Sequence, residues 1–255
     1  VVEPGWLARL VAAVAAAPDV AAAQGRYVSD PRDGPWAAVS GVDLLQRWAS
    51  IRRVDRVDHV CTGNTVYRAE ALRAVGGIDE GMGYGYDNDL SYRLGAAGWR
   101  LVLVPEAVAV HRLRPGLSGY LRRQYGYGYG RLDLIARHPG RYTGDQVSGP
   151  GMILHAAGMS AALCAVALAG PLWPAGLGAH ALLVAGAIVA LLGLERLLAG
   201  SAAAWRLRAP AGLLFPVAHV LRDLVWALAV VTWALRRIVG RAGRPEDSMS
   251  RRSAG

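Results

Sequence analysis

At 255 residues, 53% of them hydrophobic and only 18% charged, the chain is more apolar than ordinary soluble domains and points toward a membrane protein. All 28 basic residues are arginine and the net charge is +9: residues 1–150 hold 18 arginines against 15 acids, residues 151–255 hold 10 against 4, so most of the excess sits in the more hydrophobic part. That placement favours a cytoplasmic membrane surface over nucleic acid as the partner of the charge, and two cysteines, Cys61 and Cys164, exclude a disulfide framework.

In chain order, residues 4–17 read as a helix, with Pro4 suited to the first turn and Trp6, Leu7, Leu10 and Val14 at helical spacing before Pro18 ends it. A short extended run near 20–28 precedes a loop rich in Pro, Gly and Asp at 29–37, and 42–53 is weakly helical. HVCTGNTVYR at 59–68 predicts a strand interrupted by Gly63, and AEALRAV a short helix stopped by Gly76 and Gly77. A glycine-rich loop at 78–86 leads to a helix over 87–97, then two short strands, WRLVLVP and AVAV, end at His111. Strands alternating with helices predict an α/β layer.

From residue 150 the pattern changes. Residues 151–170 and 176–194 contain no Asp, Glu or Arg, and each has roughly the 20 residues that cross a bilayer. Residues 213–238 carry Arg222 and Asp223 near their centre, where unpaired charge is costly in lipid. The linker PLWPA between the first two spans is uncharged while Arg196, Arg206 and Arg208 follow the second, which puts 195–212 on the same, cytoplasmic side as 1–150. A third crossing would strand Arg236, Arg237, Arg241, Arg244, Arg251 and Arg252 outside, so an interfacial or re-entrant segment is favoured over a transmembrane one. The tail over 239–255 is expected to be disordered.

The densest polar cluster is GYGYDNDLSYRL. Asp87 and Asp89, two apart on a helix, diverge by about 200° and cannot both face one reacting centre. Asp89 has Arg93 at the spacing of a helical ion pair, which leaves Asp87 the freer carboxylate, with a helix N-cap as its alternative role.

The stretch Gly63 to Gly130 resembles the C-terminal half of the GT-A domain of family 2 glycosyltransferases. That family carries, in this order, G-N-x-x-x-R, L-x-x-V-G-G-F-D-E, E-D-x-D-L-x-x-R-L, V-P-x-A-x-x-x-H and an Arg/Gln-rich helix. The resemblance implies a partial GT-A (Rossmann-like) α/β unit over 1–145, its acceptor-side half, followed by a membrane region over 150–238. It implies Asp87 as the general base of an inverting transfer, with Tyr86 standing where the family has Glu. It also implies substrate contacts from Gly63, Asn64, Arg68, Tyr86 and Asp89.

His111 falls on a metal-ligating His, for Mn2+ or Mg2+, with a strand-end hydrogen bond as the alternative. Arg122, Arg123 and Gln124 fall on the helix that meets the donor's pyrophosphate, or else form a basic face at lipid headgroups. Tyr125, Tyr127 and Tyr129, alternating with glycines, suggest a flexible loop facing the acceptor. The chain opens where the family's metal-binding D-x-D would just have ended, so the nucleotide-binding half and the rest of the metal shell are expected to be missing. The implied partners are a nucleotide-sugar donor, a lipid-linked or cell-envelope acceptor and the inner (plasma) membrane, with no nucleic acid. The rival reading is a noncatalytic membrane adaptor derived from such an enzyme.

Overall fold

A computed structural model describes residues 1–30, 33–51, 56–112, 116–146 and 149–240. The tail from residue 241, residues 31–32 of the expected loop and 52–53 of the expected second helix lie outside the described residues.

Three strands form the sheet, in the order β2-β1-β3: β1 (Val20–Ser29) is central, β2 (Thr65–Tyr67) pairs with it antiparallel and β3 (Arg100–His111) parallel. Being covered on both faces, β1 buries Val20 to Gly25 without a polar alternation. On one side α1 (Trp6–Ala15) packs Leu10 and Val14 onto Val20, Ala23 and Ala107. On the other, α3 (Ala69–Ala74) and α4 (Tyr86–Ala96) bring Ala71, Leu90 and Leu94 against Ala21, Ala22 and Leu101.

Several elements differ from the sequence expectation. The strand expected over 59–68 is shortened to β2, because Thr62–Asn64 form a 3-10 turn. The two strands expected around His111 are one, β3, whose pairing jumps from Gly25↔Val104 to Arg26↔Val108. Pro105, which lacks an N–H, sits in the resulting bulge, and Arg26 and Arg9 donate to the carbonyls of Pro105 and Glu106 there. Gly25 lies against this bulge, where a Cβ would come within 2.2 Å of the Ala107 carbonyl oxygen. The second helix, α2 (Pro35–Ile51), starts inside the expected loop, with Pro35 in its first turn where a missing N–H is harmless.

The alternating tyrosines and glycines are not a loop. They lie within α5 (Gly116–Arg137), and the glycines give its neighbours room to approach. A Cβ at Gly126 would stand 2.1 Å from the Tyr84 ring, at Gly128 2.9 Å from Trp226, and at Gly130 3.0 Å from the Tyr84 backbone. Gly130→Ala therefore pushes on backbone rather than on a movable side-chain tip. It should destabilise the protein by about 1–3 kcal/mol, read as a lower thermal midpoint in detergent; an unchanged midpoint would show that this contact can relax freely.

Beyond α5 lie α6 (Gly151–Leu172), α7 (Gly178–Arg206) and α8 (Phe215–Ile238). With the short turns that adjoin α6 and α8, these are three helices long and apolar enough to cross a membrane. Val39 and Val42 of α2, Tyr120 of α5, Ala203 of α7 and Phe215 and Ala218 of α8 form one buried cluster that joins the apolar helices to the α/β part.

Candidate active site

The chain reverses into α4 through Gly85, whose φ of 76° is left-handed and suits glycine. Gly85, not Asp87, occupies the N-cap position. Asp87 instead sits in the first helical turn, where the positive end of the helix favours a carboxylate. Its Oδ1 accepts the adjacent Asn88 N–H at 3.0 Å, and no guanidinium pairs with it among the described residues. Burial pushes the Asp87 carboxyl above the usual range, with the nearby His59 acting in the opposite direction.

The 200° divergence of the two acids is realised. Asp89, 3% exposed, points away from the cavity into a closed ion pair. Its Oδ2 accepts Arg93 at 2.9 Å and its Oδ1 meets His138 Nε2 at 2.8 Å. Arg93 also donates to the carbonyls of Val75 and Gly77, so this pair anchors the double-glycine stop to α4.

Asp87 opens into a cavity of about 420 Å³. Gly63, Tyr86, His111, Arg123 and Gln124 line it together with Asp87. Arg122, one residue from Arg123 and so about 100° round the helix, is exposed and is not among the lining residues. Asn64 and Arg68 are also elsewhere. Asn64 is fully buried and accepts the Trp6 indole N–H at 2.6 Å. Arg68 donates to the carbonyls of Val14, Ala17 and Val20 and so ties the end of α1 to the start of β1.

His111 stands exposed at the end of β3, its ring 5.0 Å from that of Tyr27. Its Nδ1 lies 3.1 Å from the Arg112 carbonyl oxygen, and since a carbonyl only accepts, Nδ1 carries the proton. In the neutral ring Nε2 then bears the lone pair, the arrangement that suits a metal-ligating imidazole. Among the described residues no three-ligand group includes His111.

Sequence reasoning missed several residues. Arg47 of α2 and Arg131 of α5 line the cavity with Arg123, giving it three guanidinium groups. His59 also lines it, and with Asp58 and Asp145 forms a group whose ligand atoms all lie within 4.8 Å, spaced to hold a metal. His59 Nδ1 is 3.6 Å from Asp58 and 3.8 Å from Asp145. Arg141 at 3.0 Å and Arg131 at 3.3 Å already neutralise the other oxygens of these two acids, which weakens the pull on a cation. No spacing rule could have joined positions 58 and 145, because only the fold brings them together.

The sequence profile of glycosyl transferase family group 2 matches residues 1–194. The chain belongs to that family. Over 110 residues it is 38% identical to a pre-mycofactocin glycosyltransferase of Mycobacterium tuberculosis, covering 43% of this chain and 23% of that protein. Over 75 residues it is 36% identical to the succinoglycan biosynthesis protein ExoA of Rhizobium meliloti, covering 29% of this chain and again 23% of the relative. The chain therefore aligns with less than a quarter of the length of either relative.

Proposed function

We propose that the protein takes part in glycosyl transfer from a nucleotide-sugar donor to a lipid-linked or cell-envelope acceptor, with inversion, and that residues 1–145 act as the acceptor-side half of a GT-A unit. The observation that carries this reading is Asp87: a carboxylate desolvated by burial and held without a guanidinium partner in the cavity wall. Asp87, with His111 and the arginines that share its cavity, favours an enzyme over a noncatalytic adaptor.

In the proposed reaction Asp87 takes the proton of the acceptor hydroxyl as its oxygen bonds to the anomeric carbon. The bond from that carbon to the donor's diphosphate breaks on the opposite face, and configuration inverts. Arg47 and Arg123 offset the charge of the leaving diphosphate, Arg131 stays with Asp145, and Gly63, Tyr86 and Gln124 shape the space around the sugars. A divalent ion, Mn2+ or Mg2+, would be held by His111 and the family's metal-binding D-x-D, a motif distinct from Asp87–Asn88–Asp89 and absent from this chain, and when bound it would neutralise diphosphate charge. The uncharged PLWPA link and the arginines after α7 support a multi-pass protein of the plasma membrane with its catalytic part in the cytoplasm.

The test uses membranes carrying the full-length enzyme, a panel of labelled nucleotide sugars, and anomeric analysis of the lipid-extracted product. Inverted product is expected. Arg123→Gln should raise the donor KM roughly tenfold, the value of one lost charge-assisted contact, while Arg122→Gln leaves it unchanged. Retained configuration would rule the reading out.

A further inference from the structure

We infer that α8, although long and apolar enough to cross a membrane, does not cross it. It lies in the plane of the membrane surface, with one face on lipid and the other on α5. The two helices run side by side in the same direction. Tyr120 OH donates to the Ala218 carbonyl at 3.2 Å, Gly128 backs onto Trp226 and Ala229, and the Trp233 indole N–H donates to Asp133 at 2.8 Å. Arg236 then stands 5.6 Å over the Tyr129 ring. The contact on α8 thus runs from 218 to 236, about 27 Å.

That length ties the depth of one helix to the depth of the other. α5 carries the exposed Arg122, the cavity residues Arg123, Gln124 and Arg131, and Asp133. If α8 crossed the bilayer, α5 and the reaction cavity would lie in hydrocarbon, where each unpaired charge costs several kcal/mol.

The two faces of α8 match an in-plane placement. Val217, Leu224, Leu228, Val231, Leu235 and Ile238 are exposed and repeat at helical spacing, forming one apolar stripe. Away from the stripe, the two charges at the middle of α8 are inside protein: Asp223, 0% exposed, meets His155 of α6 at 2.7 Å and Arg222 at 2.9 Å. His155 also meets Glu195 of α7 at 3.1 Å. His155 lies in the second turn of α6 and Glu195 in the later half of α7, so α8 packs at the end of that hairpin nearest the α/β part. Of the apolar stretch of the third candidate span 44% is buried within the protein, against 22% for the first and 6% for the second.

The occupant of the stripe is therefore the lipid of the membrane that α6 and α7 enter. Trp226 of α8 and Met152 of α6 also line the cavity, so this placement sets the cavity wall at headgroup level, within reach of a membrane-anchored acceptor. Only that consequence rests on the glycosyl-transfer reading; the placement of α8 does not.

The experiment places spin labels at Val217→Cys, Leu228→Cys and Ile238→Cys in the full chain lacking Cys61 and Cys164, reconstituted in liposomes. Similar depths at all three sites are expected, about 5–10 Å below the headgroups. A steady change of about 30 Å across the three would mean a crossing, and labels outside lipid would mean another occupant; either overturns the inference. In intact cells an impermeant thiol reagent should treat Val239→Cys like Arg206→Cys and unlike Pro174→Cys. Equal modification of Val239→Cys and Pro174→Cys would also overturn it.

Discussion

Asp87→Asn in the full-length enzyme should lower the turnover of transfer by about 10²–10⁴, the contribution of a positioned general base, while donor binding stays measurable. The same change should not lower thermal stability. Because burial raises the carboxyl above its unfolded value, the folded state holds its proton more tightly. Stability is fullest below the unfolded value and declines as pH rises through the folded one. The ionised form is thus a stability cost, which Asn removes. The acidic limb of the wild-type rate should correspondingly lie above the ordinary aspartate range. Assays of turnover and thermal midpoint on the same preparation check both arms, and normal turnover in the variant would end the base assignment.

Asp89→Ala should do the reverse: destabilise the protein by about 1–3 kcal/mol, with activity falling only as folded protein is lost. Removing the buried carboxylate takes the hydrogen-bond acceptor from two part-buried donors, Arg93 and His138. Arg93 would keep only the Val75 and Gly77 carbonyls, and His138 would lose its acceptor. Denaturation in detergent measures the loss, and activity per folded molecule separates it from a catalytic effect. A stable but inactive Asp89→Ala would mean that Asp89, and not Asp87, faces the chemistry.

The contrast between these two acids was legible in the sequence because helix geometry and the Arg93 spacing are local. The stop at Gly76 and Gly77 and the two apolar runs of α6 and α7 were legible for the same reason. The tyrosine and glycine repeat misled: glycine signals a loop when a helix stands alone, whereas here Gly126, Gly128 and Gly130 are required by the neighbours they admit. Arg68 and Asn64 stand within a stretch that carries the family's pattern, yet their side chains hold α1 in place. A motif records which residues stand together in sequence, and not which of them face a cavity.

What the sequence determined by itself was whatever depends on neighbours within a turn or two: the helical and strand periods, the membrane-length runs, the divergence of Asp87 from Asp89 and the family pattern. Only the tertiary structure decided which side chains meet across long separations. It drew Arg47, His59, Arg123 and Arg131 from three separate segments to one cavity, and it laid α8 along α5. The physical reason is that periodicity specifies which face of an element is apolar, whereas burial of that face against a particular partner is settled by packing of the whole chain.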